Sequence, residues 1–329
     1  MSNTSSNATT KSGRLQLPDR LYNAFTTLVA SEMLFVAVGV SINAWLLASI
    51  LSSQELRVRI RNQFLCCIAI QNIFDDVFIA IPNIAWYFSI LNSKPIISCP
   101  MYMFTKMINV ICSITSDFLI VALACVFLAQ VLDFKPGSRL KVGQLRVGRV
   151  IALTLPWTLA AVAGPLSVWS ISYQRRSCSV VNVRKYFILE SSFTVFPLCL
   201  ATAVIAVAVT LRQLRFGHGR LTAQGNMDVQ LMGSGPEIDN SSAYIGAILV
   251  CAACEVSRLV AYFLIGNQKY TQLEHMVASI VLECSRGVFL PLVFLFLRDV
   301  RERIKTWRPC RTGDAPVGID LTVAYSKEV

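Results

Sequence analysis

Residues 99–133, CPMYMFTKMINVICSITSDFLIVALACVFLAQVLD, contain just three Asp, Glu, Lys or Arg residues, namely Lys106, Asp117 and Asp133. A helix needs about 20 apolar residues to cross the roughly 30 Å of a bilayer's hydrocarbon, and this stretch exceeds that length. Six more blocks of the same character lie at 24–51, 62–90, 147–170, 186–211, 243–265 and 273–297. Lipid offers no partner for backbone N–H and C=O groups, so blocks of this length must satisfy their own bonds as helices. The chain is expected to be all-α, an integral membrane bundle of seven transmembrane helices over 24–297, preceded by a polar segment at 1–23.

The whole composition agrees. The chain has 329 residues, 54% hydrophobic and 15% charged, with a mean hydropathy of +0.57, whereas soluble domains average about 45 to 50% apolar and about 25% charged. Disorder, a collagen-like fibre and an ordinary soluble enzyme are excluded. Only two histidines, His218 and His275, are present, too few for a metal cluster or a His-based triad, so neither an enzyme nor a cofactor nor a metal site is expected. Residues 1–23 carry no cleavable signal pattern, and the first helix is expected to serve as its own targeting signal.

Two glycosylation acceptors, Asn3-Thr4-Ser5 and Asn7-Ala8-Thr9, place the N-terminus outside the cell. Seven crossings then put 52–61, 134–146, 212–242 and 298–329 in the cytosol. With Arg149 at a helix mouth, those segments hold eighteen of the thirty Lys and Arg residues, against nine in the outer segments, which satisfies the positive-inside rule. The net charge of +11 is thus largely topological; it favours anionic inner-leaflet lipid as a partner and gives no reason to invoke nucleic acid. Of eleven cysteines, only Cys99 and Cys178 fall on the oxidising side, and these two are expected to pair. The other nine, Cys251 and Cys254 among them, read as small apolar packing residues.

Taken in order, several landmarks resemble the rhodopsin-like G-protein-coupled receptors. They are Asn43 in helix one, Asn62-Gln63-Phe64-Leu65 opening helix two, the Cys99 and Cys178 positions, Trp157 then Pro165 in helix four, Phe196-Pro197 in helix five, and Pro291 late in helix seven. The resemblance spans about 24–307. It implies a plasma-membrane receptor that binds an extracellular ligand and signals to a heterotrimeric G protein. Three departures fall on the family's activation switch and leave a non-coupling receptor partner as an alternative reading. The Asp-Arg-Tyr of helix three is replaced by Ala124-Cys125-Val126-Phe127-Leu128, the Cys-Trp-x-Pro of helix six by Cys254-Glu255-Val256-Ser257, and the Asn-Pro-x-x-Tyr of helix seven by Leu290-Pro291-Leu292-Val293-Phe294. The family's sodium-binding carboxylate in helix two is Asn72 here. Asp75 and Asp76 follow at i+3 and i+4 on roughly the same face, and with Asn43, Ser113 and Asp117 they are expected to form a shifted polar core.

Ionisable groups in hydrocarbon cost about 2.5 to 3.5 kcal/mol on insertion scales, so each is expected to face the bundle interior with a partner. Glu255 and Arg258, and likewise Glu283 and Arg286, are spaced i, i+3 and can neutralise each other. One reading makes them self-satisfied pairs that fix helix packing. The other places Lys106, Arg258 and Arg286, with Glu190, Glu255 and Glu283, around a ligand cavity, where converging cations favour a carboxylate, a phosphate or an acidic peptide. Lys106 stands where amine receptors of the family carry an aspartate, which argues against an amine ligand; it can instead snorkel to the headgroups. Asp117 and Glu190 lack a local partner and are expected to meet the cations across the bundle. Helix seven has Arg286 and no lysine, which excludes a retinal Schiff base.

A transporter or channel would use the same charges as a substrate or proton path, but no internal repeat and no paired Gly- or Pro-broken helices support it. In 298–310, Val300, Ile304 and Trp307 share one face among basic residues, the pattern of a short amphipathic cytosolic helix in the headgroup plane. Its position resembles the family's eighth helix, and Cys310 after it is a candidate palmitoylation site. The Gly-rich 212–242 reads as a flexible linker, with a sequon, Asn240-Ser241-Ser242, on the wrong side of the membrane. The tail, 311–329, shows no motif.

Overall fold

A computed structural model describes residues 18–92, 96–132, 142–168, 173–174, 179–180, 183–222, 239–265 and 273–306, with backbone alone at 142–146, 166–168, 173–174, 179–180, 183–191, 215–222, 261–265, 273–276 and 306. Helix α1 runs Asp19–Leu51 and the short α2 Gln54–Val58. Helix α3, Ile60–Asp75, passes through a π segment, Asp76–Ala80, into α4, Ile81–Asn92. Then come α5 (Cys99–Val131), α6 (Val142–Val168), α7 (Val183–Thr222), α8 (Ser241–Ile265), α9 (Leu273–Val293), a 3-10 turn at Phe294–Phe296, and α10 (Arg298–Thr306). Between α6 and α7, β1 (Tyr173–Gln174) pairs antiparallel with β2 (Ser179–Val180). Among the described residues seven helices are long and apolar enough to cross a membrane, with α3 and α4 acting as one span. The architecture is that of a multi-pass membrane protein. Large apolar side chains such as Leu249, Val256 and Phe196 face outward, a surface that suits lipid and would aggregate in water.

The ends differ from the expected blocks for local reasons. Helix α1 begins at Asp19 rather than 24 because the Pro18 carbonyl accepts from the N–H groups of Leu21 and Tyr22 at 2.8 and 3.0 Å, and Asp19 places an anion at the positive helix end. In the second span, Pro82 has no N–H to give to the Phe78 carbonyl and its ring crowds that oxygen; the wider π turn absorbs the misfit. Helix α7 continues to Thr222, so the first part of the expected linker is helical. The Asn240 sequon has a structural use as a helix cap: its Oδ1 accepts from the Ser242 N–H at 3.1 Å and hydroxyl at 2.9 Å.

Helix α5 is the central post. It touches α3, α4, α6, α7 and α8, and 67% of its apolar span is buried, against 22% for peripheral α6. The main apolar core lies toward the α10 end, where Phe64, Phe127, Leu290 and Phe294 pack with Leu297 and Val300. Val300 is therefore docked on the bundle, Ile304 lies partly against the same core, and Trp307 is outside the described residues.

Candidate functional site

Among the described residues six Asp, Glu, Lys and Arg side chains converge on one cavity inside the bundle: Glu32 from α1, Asp75 and Asp76 from α3 and the π segment, Lys106 from α5, and Glu283 and Arg286 from α9. Its volume is about 100 Å³, room for a few waters or one polar group and well short of the roughly 300 to 1,000 Å³ of a pocket for a drug-sized ligand. Asn72, Asn83 and Asn109 add amide groups to its wall.

Asn72 and Gly287 of its wall belong to an amide tie. The Asn43 side-chain N–H donates to the carbonyls of Gly39 at 2.8 Å and Gly287 at 2.7 Å, while Asn72 donates to Asn43 Oδ1 at 3.0 Å. One buried amide thereby joins α1, α3 and α9. The Asp76 carboxylate fits between two glycine backbones: a Cβ on Gly39 would lie 2.5 Å from Asp76 Oδ2, and one on Gly287 would lie 3.4 Å from Oδ1. Asp75 accepts from Gln71 Nε2 at 3.0 Å.

The cations are all opposed by carboxylates. Arg258 donates to Glu255 at 2.5 Å and to the Thr194 hydroxyl at 3.0 Å, which is the expected i, i+3 pair. Arg286 departs from expectation: its ion pairs reach Asp75 at 3.8 Å and Asp117 at 3.9 Å, across the bundle rather than along its own helix to Glu283. Asp117 thus meets a cation, as expected for a group without a local partner. Lys106 faces the cavity with Glu32 and Glu283, and its Nζ lies 5.3 Å from the Tyr102 ring centre. Tyr102 in turn stacks on Trp86 at 4.3 Å. The expectation of an anionic ligand rests on the convergence of Lys106, Arg258 and Arg286, each of which has carboxylates near it here. Among the described residues that line the cavity, four carboxylates stand against two cations.

Several of these groups are under-satisfied. Glu32 is 1% exposed; its Oε1 is 3.8 Å from the Cys284 thiol and its Oε2 has no hydrogen-bond donor among the described residues. Asp117 is 0% exposed, with neither oxygen hydrogen-bonded there. An unmet buried polar atom costs about 1 to 3 kcal/mol, a cost that marks a place where a ligand or a second conformation can be gained. Ser113 is buried on α5 and does not line the cavity.

Cys99, at the start of α5, is disulfide-bonded. The eight other described cysteines are free, so its partner lies outside the described residues, as do Cys178, Cys310, Asn3, Asn7 and the side chain of Glu190. Among the described residues no group of His, Cys, Asp and Glu can hold a metal ion. Sequence reasoning overlooked Glu32, although a lone glutamate in the α1 apolar block was itself the signal. No protein-family model matches the chain, and a search of curated proteins finds no match.

Proposed function

We propose that the chain is a seven-helix plasma-membrane receptor, with the Cys99 end outside and the α10 end in the cytosol, that couples an extracellular ligand to a heterotrimeric G protein. The observation that carries this reading is the under-satisfied charged cavity reached by α1, α3, α4, α5 and α9 at once. A ligand that supplies the missing donors there biases how those helices pack, and that bias is what a receptor transmits. The disulfide at the start of α5, the amide tie of Asn43 and Asn72, and α10 docked after the seventh span add to it. The excess of carboxylates favours a ligand that presents an ammonium, guanidinium or hydroxyl group, and the cavity's size admits one such group rather than a whole large ligand.

The test is ligand-independent G-protein dissociation, measured across all G-protein families in cells with increasing, surface-verified receptor. A dose-dependent signal from one family is expected, and silence at high surface density overturns the coupling. With an agonist in hand, Glu32→Gln should weaken it and Lys106→Ala should leave it equal or tighter; the reverse order restores the anionic-ligand expectation. A glycosidase-sensitive mass shift lost in Asn3→Gln/Asn7→Gln tests the orientation. The same four carboxylates also suit a proton or cation path, and solute- or proton-dependent currents without G-protein dissociation would favour a transporter.

A further inference from the structure

The α10 end of the bundle carries a second charged cluster, separate from the cavity. Arg61, at the start of α3, is 3% exposed yet permanently charged. Its Nε donates to Asn62 Oδ1 at 2.9 Å, one terminal nitrogen donates to Asp239 and the other to Asp299. Asp239 immediately precedes the Asn240 cap of α8, and Asp299 lies in the first turn of α10. The second carboxylate oxygen of Asp239 accepts from the Tyr244 hydroxyl at 2.8 Å, its backbone carbonyl accepts from Arg212 of α7 at 3.1 Å, and the Tyr244 ring stacks on Phe127 of α5 at 4.5 Å. A single guanidinium therefore ties α3 to α8 and α10, and through Asp239 to α7 and α5.

The two carboxylates are not equivalent. Asp299 has a second cation, Arg59, at 3.0 Å, and its other oxygen accepts from the Val300 N–H at 2.9 Å. The Asp239 carboxylate has Arg61 as its one cationic hydrogen-bond partner among the described residues. If Arg61 lets go, α10 stays held while the start of α8 loses its tie to α3 and keeps the Arg212 contact to the Asp239 carbonyl. The facing part of α5, Ala124-Cys125-Val126-Phe127-Leu128, has no charge to take over, and the remaining direct tie from α5 to this end of α8 is apolar packing, chiefly the Phe127–Tyr244 stack.

We infer that the Arg61–Asp239 pair is a latch that holds the start of α8 against α3, and that opening it widens the α10 end of the bundle where an inner partner would enter. The consequence for signalling rests on the receptor reading; the latch itself does not. Spin labels carried by unnatural residues at the exposed positions Val58 and Ile245 report the separation of the two helix starts in the full chain, purified in lipid nanodiscs. In Arg61→Met and in Asp239→Asn a longer population should become the major one. Arg61→Lys, which keeps the charge but cannot bridge two carboxylates, should hold the short distance in a larger fraction, and Arg59→Ala should leave the distribution unchanged. In cells, both latch variants should raise ligand-independent G-protein dissociation on the order of 5- to 10-fold at equal surface level. An unchanged distance in the isosteric Asp239→Asn overturns the latch, whether or not Arg61→Met reaches the surface. A lengthened distance with no G-protein response upholds the latch and overturns the coupling.

Discussion

Arg61 and Arg286 are both guanidiniums buried in a helix bundle, and their surroundings could hardly differ more. Arg61 donates directly to two carboxylates and an amide. Arg286 has its carboxylates at 3.8 and 3.9 Å, close enough for attraction and too far for a hydrogen bond. Charges that are fully bonded fix a geometry, whereas charges held at that separation leave lone pairs unmet and keep alternatives close in energy. The bundle is thus fastened by hydrogen-bonded charge at its α10 end and under-satisfied around Arg286 and Asp117 among the described residues.

The largest expected effect lies on the fastened side. Arg61→Met leaves Asp239 without its cation, and breaking a buried pair by removing one partner typically costs about 3 to 5 kcal/mol. Partial exposure of Asp239 and Asp299 points to the lower end, about 3 kcal/mol. The apparent melting temperature in nanodiscs should fall more for this variant than for any other single change considered, and a fall no larger than that of Arg59→Ala would remove the distinction between the two regions.

Next is the niche around Asp76. Gly39→Ala pushes a methyl to 2.5 Å from the carboxylate, while Gly287→Ala brings one only to van der Waals contact. Overpacking costs about 1 to 3 kcal/mol, so Gly39→Ala should destabilise clearly and Gly287→Ala little. The double variant Gly39→Ala/Asp76→Ala should be more stable than the sum of its single changes. Additive losses would mean that Asp76 does not occupy the niche.

Asp117→Asn should act with the opposite sign. Replacing a buried carboxylate that has no hydrogen-bond donor among the described residues with its neutral isostere is expected to be neutral or stabilising by about 1 kcal/mol, because Arg286 keeps Asp75. The same substitution at Asp239 should destabilise. One chemical change, read in the two regions by thermal unfolding, thereby separates a charge that fastens from a charge that is stored; equal signs would erase the contrast.

What the sequence disclosed follows from the range of each interaction. Seven spans were legible because hydrocarbon imposes length and composition on each helix independently of the others, and the Glu255–Arg258 pair was legible because i, i+3 geometry is local. Glu283 and Arg286 have the same spacing, yet Arg286 turns to α3 and α5, since the choice between a neighbour on the helix and one across the bundle is made by packing. Arg61 looked like one of many loop cations obeying the positive-inside rule. Its role needs Asp239 and Asp299, each well over a hundred residues away in the chain, and no local pattern brings them together. The π segment had a sequence signal in Pro82, whereas the helical start of the 212–242 stretch had none, because its glycines argued for a linker.

The smallest effect is the sharpest control. Arg59 donates to the same Asp299 oxygen as Arg61, at 3.0 Å, and pairs with Glu55 at 3.5 Å. Its side chain is 47% exposed, so solvent screens both contacts, and exposed pairs contribute about 0 to 1 kcal/mol. Arg59→Ala should therefore lower stability by less than about 0.5 kcal/mol, in line with such pairs. Added salt should narrow even that difference while leaving the Arg61→Met deficit nearly intact, because buried charges are screened much less. If salt erased both deficits alike, the Arg61 contacts would be ordinary surface electrostatics, and the start of α8 would be held by apolar packing, the Phe127–Tyr244 stack foremost, rather than by charge.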